Sequence, residues 1–303
     1  MSVIVDYYKD LIYNRNDPRT KDWLLASGPG PLLWIVSFYL YFCTSLGPKI
    51  MQDRKPFTLR YTLIVYNFVQ VILSIYLVHE GLMAGWLYDY SYKCQPVDYS
   101  NNSQSLRMAR AVYMYFICKL IELLDTVFFV MRKKQRQISF LHLYHHAMMP
   151  ICAWIGVRFV PGGHATLLGL INSFIHILMY TYYMLAAFGP EVQKYLWWKR
   201  HLTSLQLVQF VIILFHNLQV LVTDCNYPKP LAMLLCINAG LFIYLFGSFY
   251  VKTYKRAARS REQMKERTPA VTTNCVTANG KAKVNGYANG HANSHAKLDE
   301  KVD

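Results

Sequence analysis

Long apolar runs separated by short polar stretches dominate the chain from residue 29 to residue 251. Seven runs are about 18 to 25 residues long, the length that an α-helix needs to cross the hydrocarbon core of a bilayer. They cover residues 29–46, 63–87, 109–131, 140–159, 165–188, 205–223 and 231–251. Membrane-spanning strands would instead alternate polar and apolar residues over about ten positions. The pattern predicts an all-α, multi-pass membrane protein with seven transmembrane helices.

Composition and charge set the orientation of these spans. Of 303 residues, 54% are hydrophobic and 16% are charged, with a net charge of +15. Most Lys and Arg residues fall in loops on one side of the spans, and such loops face the cytosol. We therefore expect a luminal amino-terminal segment (1–28), a transmembrane domain (29–267) and a cytosolic tail (268–303). The tail is rich in Asn, Ala, Gly and Lys, which predicts disorder. Because the positive charge follows the membrane topology, we expect contact with lipid and no nucleic-acid partner.

Two features of the predicted luminal loops follow from this topology. Cys94 and Cys225 lie in luminal loops, whereas the other five cysteines lie in spans or in the tail. The lumen is oxidising, so we predict a Cys94–Cys225 disulfide, with two unpaired thiols as the alternative. Asn101-Asn102-Ser103 is a sequon, and Asn101 is a predicted glycosylation site.

Polar side chains inside four predicted spans carry the strongest functional signal, because an ionisable group in hydrocarbon is costly. Each group shares one face of its helix, and the groups are, in chain order, Lys119, Glu122, Asp125 and Thr126; His142, His145 and His146; Asn172, His176, Met179 and Tyr183; and Thr203, Gln206 and Gln209. Four polar faces predict a shared interior that is open to the cytosol, with a basic rim and an apolar depth. Such a funnel suits a long amphiphile with an anionic head.

These motifs identify a family. Lys119-x-x-Glu122-x-x-Asp125-Thr126, His142-x-x-His145-His146, His176-x-x-Met179-Tyr180 and Thr203-x-x-Gln206-x-x-Gln209 resemble, in order and separation, those of the very-long-chain fatty acid elongases. The resemblance implies a 3-oxoacyl-CoA synthase of the endoplasmic reticulum membrane that joins a long-chain acyl-CoA to malonyl-CoA, releasing CoA and CO2. It also implies two inverted three-helix units around a narrow tunnel, with the first span outside. We expect no cofactor or metal beyond the two CoA substrates. The expected partners are the reductases and the dehydratase of the elongation cycle, and homo-oligomerisation is left open.

Roles follow from residue chemistry. Condensing enzymes usually capture the acyl group on Cys, but no cysteine belongs to a motif, and an oriented imidazole is also a competent acyl acceptor. We assign His145 as the nucleophile, oriented by Asp125, because both lie about 9 Å inside the cytosolic helix ends at 1.5 Å per residue. His176 and Asn172 are assigned to oxyanion stabilisation or proton transfer, and His146 to support of the pocket.

The predicted substrate-binding residues lie near the cytosolic rim, where charge-assisted contacts would hold the CoA phosphates. They are Arg132, Lys134, Gln137, His142, Lys199, Thr203, Gln206 and Arg259, with Tyr182 for the pantetheine arm and Lys119 deeper inside. For Lys119, pairing with Glu122 or Asp125 is an equal alternative.

Two other functions remain open from the residues alone. A membrane di-iron desaturase or hydroxylase also carries His-x-x-His-His, but it needs about three such boxes and about eight nitrogen ligands. This chain has one tight histidine cluster, and two of its ten His (His291 and His295) lie in the tail. A transporter or seven-span receptor would also bury polar groups between its spans.

Overall fold

The structure is a computed structural model that describes residues 16–255. Across these residues every regular element is helical. The helices are α1 (Pro29–Tyr41), α2 (Gly47–Met51), α3 (Arg60–Gly81), α4 (Ser103–Ile121), α5 (Leu123–Met131), α6 (Phe140–Phe159), α7 (Thr166–Ala187), α8 (Pro190–Gln193), α9 (Lys199–Val222) and α10 (Lys229–Tyr250). π-Helical turns join α1 to α2 and extend α3 and α10, so that three long continuous helices result. The predicted tail 268–303, most of segment 1–28 and Arg259 lie outside the described residues.

Five helical segments in the described part of the chain are long and apolar enough to cross a membrane. They are Pro29–Met51, Arg60–Trp86, Thr166–Ala187, Lys199–Val222 and Lys229–Tyr254. The remaining two predicted spans coincide with α4–α5 and with α6. Those helices carry the Lys-Glu-Asp and histidine motifs, whose polar side chains lower the hydropathy. The chain is therefore an all-α multi-pass membrane protein, while the count of seven and the inverted units stay predictions.

Capping residues and prolines define where several helices begin. The side chain of Asn102 accepts a hydrogen bond from the Ser105 amide (2.8 Å), which satisfies one free donor at the start of α4. Ser139 does the same for the His142 amide at the start of α6 (3.3 Å). Proline occupies the first turn of α1 and α10, where its missing N–H costs nothing.

The third predicted span is interrupted at one residue. α4 ends at Ile121 and α5 begins at Leu123, so that Glu122 stands at the junction with its amide still bonded to the Cys118 carbonyl (2.9 Å). Breaks of this kind in a helix often mark functional positions. Here the break lies between Lys119 and Asp125, in the middle of the predicted site.

Helix packing brings the polar faces together. α3 packs along α7, α4 along α6, and α9 along α10, while α7 also contacts α9. Phe116, Trp154 and Val157 form a buried apolar cluster between α4 and α6. This packing sets the lateral positions of the four motifs.

Long-range links gather at the predicted luminal end. A Cys94–Cys225 disulfide, with Cα atoms 5.6 Å apart, joins the α3–α4 loop to the α9–α10 loop, as the sequence predicts. The buried guanidinium of Arg158 donates to the Ala26 carbonyl (2.9 Å). Thr20 donates to the Val157 carbonyl (2.7 Å), which ties the amino-terminal segment to the end of α6. Asn101 is exposed in the α3–α4 loop, and its glycosylation stays a prediction.

Candidate active site

A cavity lies between the helices, and its empty volume is about 1140 Å³ when the open space at its mouth is included. Its wall is mostly apolar and comes from α3, α4, α6, α7, α9 and α10. Six side chains in that wall carry N–H or O–H hydrogen-bonding groups: Tyr115, His145, Thr166, Asn172, Gln209 and Asn238. An apolar cavity with a few converging polar groups is typical of a site for an apolar ligand with one reactive polar end.

Beside the cavity, Lys119, Glu122 and His176 form a buried charged network. Lys119 Nζ donates to both carboxylate oxygens of Glu122, at 2.8 and 2.9 Å. His176 Nδ1 lies 3.2 Å from Glu122 Oε1. All three side chains are at least 94% buried. Lys119 thus takes the alternative role that the sequence left open, since its ammonium group is held by Glu122, and it also lies 4.7 Å from the centre of the Tyr115 ring.

Asp125 does not orient His145 in this structure. Its Oδ2 accepts a hydrogen bond from the Tyr180 hydroxyl (2.9 Å). The prediction that Asp125 meets His145 is wrong at the level of contact, because depth along a helix says nothing about the direction in which a side chain leaves it. The carboxylate that does contact a motif imidazole is Glu122, and the imidazole is that of His176.

The three histidines of α6 face different surroundings. His142 Nε2 lies 2.8 Å from Thr126 Oγ1, which in turn lies 2.8 Å from the Tyr39 hydroxyl. The rings of His142 and His146, one helical turn apart, lie 4.2 Å from each other, and the role of His142 in substrate binding at the rim stays a prediction. His145 lines the cavity, with its ring 5.3 Å from that of Phe242. Of the three, His145 is the imidazole that the cavity reaches.

Asn172 is oriented by a tyrosine that the sequence did not single out. The Tyr115 hydroxyl donates to Asn172 Oδ1 (3.0 Å), and both side chains are buried. The bond occupies the acceptor of the amide and leaves its N–H groups for the cavity. Tyr115 could have been found from spacing, because it precedes Lys119 by four residues on the same helical face.

Most of the predicted rim residues lie at two helix ends. Arg132, Lys134 and Gln137 follow α5, and Lys199 and Thr203 begin α9. Arg132, Lys134, Gln137 and Lys199 are partly buried, whereas Thr203 is buried. Gln206 lies one turn further, with Nε2 3.7 Å from Met179 Sδ, and Tyr182 packs its ring 5.3 Å from that of Trp198. These positions stay predictions for CoA binding.

The fold and this buried polar site define a multi-pass helical membrane protein with an interior binding cavity. Residues 24–262 match the family described as ELO: GNS1/SUR4. A very long chain fatty acid elongase of Aedes aegypti is 51% identical over 265 residues, which are 86% of this chain and 74% of that protein. Very long chain fatty acid elongase 7 of Drosophila melanogaster is 46% identical over 267 residues (88% of this chain, 81% of that protein). Human very long chain fatty acid elongase 4 is 46% identical over 279 residues (92% and 86%).

The chain therefore belongs to the very-long-chain fatty acid elongase family. It is an enzyme of fatty acid elongation. The resemblance stated from the four motifs is confirmed across most of the chain.

Proposed function

We propose that this protein condenses a long-chain acyl-CoA with malonyl-CoA, giving a 3-oxoacyl-CoA that is two carbons longer, with release of CO2 and CoA. The observation that carries the proposal is the placement of His145. Its imidazole lines an otherwise largely apolar cavity, together with the oriented amide of Asn172. A nucleophile in a cavity of this kind suits transfer of a long acyl group.

The first half-reaction transfers the acyl group to His145. A neutral imidazole nitrogen attacks the thioester carbonyl carbon, the carbon–sulfur bond breaks, and CoA leaves as the thiolate. The N–H groups of Asn172 stabilise the charge that develops on the carbonyl oxygen. His146 packs with its ring 5.4 Å from that of His145 and supports its position.

The second half-reaction consumes malonyl-CoA. Its free carboxylate leaves as CO2, and the electron pair remains on the adjacent carbon as an enolate. This carbon attacks the acyl carbonyl and the bond to His145 breaks, which returns the imidazole. Glu122 accepts from Nδ1 of His176, which leaves Nε2 of His176 to interact with the enolate oxygen or to move a proton.

The cytosolic rim would hold the CoA portions of both substrates. Arg132, Lys134 and Lys199 supply cationic groups at helix ends close to the motif helices. We place the protein in the endoplasmic reticulum membrane, where the reductases and dehydratase of the cycle would take up its product. No cofactor is required by these steps.

Product analysis with the purified protein tests the proposal. Malonyl-CoA and a long-chain acyl-CoA should yield 3-oxoacyl-CoA and one CO2 for each CoA released. If a folded, membrane-reconstituted sample consumes no malonyl-CoA, the proposal is wrong. Stoichiometric iron together with oxygen-dependent desaturation would replace it with the oxygenase alternative.

A further inference from the structure

No hydrogen bond orients the imidazole of His145 among residues 16–255. Its two ring neighbours in that part of the chain are His146, with ring centres 5.4 Å apart, and Phe242, at 5.3 Å and an interplanar angle of 62°. His146 is the next residue of the same helix, whereas Phe242 belongs to α10. Phe242 is therefore the ring that packs against the proposed nucleophile from a different helix of the cavity wall.

A reactive imidazole needs a defined orientation. Without a hydrogen bond, the ring turns easily about its last side-chain torsion, which has broad and roughly two-fold minima. Enzymes commonly fix a histidine through a carboxylate or a carbonyl on its second nitrogen. Asp125 does not serve His145 in this way, since its carboxylate accepts from Tyr180. Attack requires a ring nitrogen aimed at the thioester carbon, so another group must restrict the ring.

The Phe242 ring is itself fixed by packing on α9 and α6. It is 3% exposed and stacks on Phe210 of α9, with ring centres 5.1 Å apart and an interplanar angle of 25°. It also lies 5.6 Å from the ring of Tyr144 on α6, whose hydroxyl donates to Asn238 Oδ1 (3.0 Å). A ring that is held from both sides can restrict the imidazole beside it.

We propose that Phe242 is a positioning residue that holds the His145 imidazole with a ring nitrogen directed into the cavity. This inference rests on the proposed function. Phe242 also lines the cavity, so its contact with His145 lies where the acyl group must reach the imidazole. Phe242 takes no part in the bonds that form and break. It raises the fraction of molecules in which the imidazole is aligned for attack.

Phe242→Leu tests this role, because leucine stays apolar but leaves space beside the imidazole. The kcat per folded molecule should fall by about 10- to 10²-fold, as expected when a reacting group loses its alignment. KM for acyl-CoA should change little, because substrate binding does not depend on the direction of the ring nitrogen. The rate of CoA release from acyl-CoA alone should fall by the same factor. Phe242→Tyr keeps the ring and should retain most of the wild-type kcat.

Phe246→Leu is the matched control. Phe246 lies one turn further on α10, with its ring 5.1 Å from that of Phe210 and 6.4 Å from that of Phe242. Within the described chain it has no ring contact with His145, and it does not line the cavity. Both substitutions open a gap in the same aromatic cluster, so both should lower the unfolding temperature. Only Phe242→Leu should lower the kcat per folded molecule.

If the Phe242→Leu protein does not accumulate, Phe242→Met makes the same test, since methionine fills a similar volume without a planar ring. The proposal is overturned if the variant keeps the wild-type kcat, if the loss appears in KM instead, or if Phe246→Leu loses as much kcat. A Phe242→Tyr protein as slow as Phe242→Leu would also overturn it. Wild-type protein that performs no condensation would instead remove the proposed function itself, and that failure is visible without any variant.

Discussion

Two groups of imidazoles in this protein differ in what they contact. In the first group, His145 lines the cavity and His176 contacts the Glu122 carboxylate. His164 and His216 stack face to face at the α6–α7 loop, with ring centres 3.7 Å apart and planes at 7°. His164 Nε2 donates to the His216 carbonyl (2.8 Å), and His216 Nε2 donates to the His164 carbonyl (3.3 Å).

The difference separates the imidazoles that we propose to be catalytic from a pair with a structural role. In the stacked pair, the Nε2 atoms are used by backbone carbonyls, so the pair ties α9 to the start of α7. His145 contacts aromatic rings and the open cavity, and His176 contacts the Glu122 carboxylate. Residue type is the same in the two groups, and three of the four imidazoles are buried, with His145 partly exposed. The partner is what assigns the role.

The largest effect should come from His145→Ala. We expect condensation to fall by about 10³-fold or more, because the proposed acyl acceptor is lost. The unfolding temperature should change little, since no hydrogen bond to His145 is present in the described residues. Product formation and thermal unfolding of the same purified sample measure both effects. Near-wild-type turnover would contradict the proposed role of His145 as the acyl acceptor.

Glu122→Gln should affect both stability and activity. The variant leaves the buried Lys119 ammonium without its counter-charge, which costs about 3–5 kcal/mol. His176 also loses the carboxylate that fixes its ring, and we expect about a 10²-fold loss of activity. Adding Lys119→Met should restore stability but not activity. Recovery of both would mean that Glu122 serves only to neutralise Lys119.

His216→Ala should have the opposite profile to His145→Ala. Removing the stacked ring and its bond to the His164 carbonyl should cost about 1–3 kcal/mol. The kcat per folded molecule should match wild type, because the pair does not line the cavity. Denaturant or thermal unfolding combined with active-site titration measures this. A kcat loss without destabilisation would make the stacked pair part of the site.

Gly156→Leu should change product length more than rate. Gly156 lines the cavity eleven residues beyond His145 on α6, about 16 Å along the axis at 1.5 Å per residue. A Cβ there meets only Val112 Cγ1 at 3.7 Å, so a larger side chain can enter the cavity. Products should shorten by at least one two-carbon step, with Gly156→Ala close to wild type. Unchanged product lengths would show that the acyl chain does not pass this point.

The smallest expected effect is the loss of folding stability at low pH. Burial lowers the pKa of the His164 imidazole, which lies in the loop outside the spans and faces His216 and Tyr227. A lowered folded-state pKa means that the unfolded chain binds more protons, so stability is lost as pH falls below about 6.5. The slope contributed by this residue should not exceed about 1.4 kcal/mol per pH unit. Unfolding temperature measured against pH should be flatter for His164→Gln, and an unchanged slope would contradict this assignment.

Much of this architecture can be predicted from the sequence. The thickness of the bilayer fixes the length of a spanning helix, and polar residues inside a span are costly and therefore mark candidate functional sites. Helical periodicity placed Lys119, Glu122 and Asp125 on one face, and it placed His145 and Asn172 on helices that share the cavity. Periodicity could not choose between Glu122 and Asp125 as the partner of an imidazole. That choice depends on how the helices pack, which brings His176 Nδ1 within 3.2 Å of Glu122 Oε1.

Incubation with acyl-CoA in the absence of malonyl-CoA tests the central claim most directly. The account predicts release of free CoA, equal at most to the amount of enzyme, and a mass increase by the acyl group on the peptide that contains His145. His145→Ala should abolish both signals, and His216→Ala should retain both. If acyl-CoA alone releases no CoA while both substrates together turn over normally, no acyl-histidine forms, and the enolate attacks bound acyl-CoA directly.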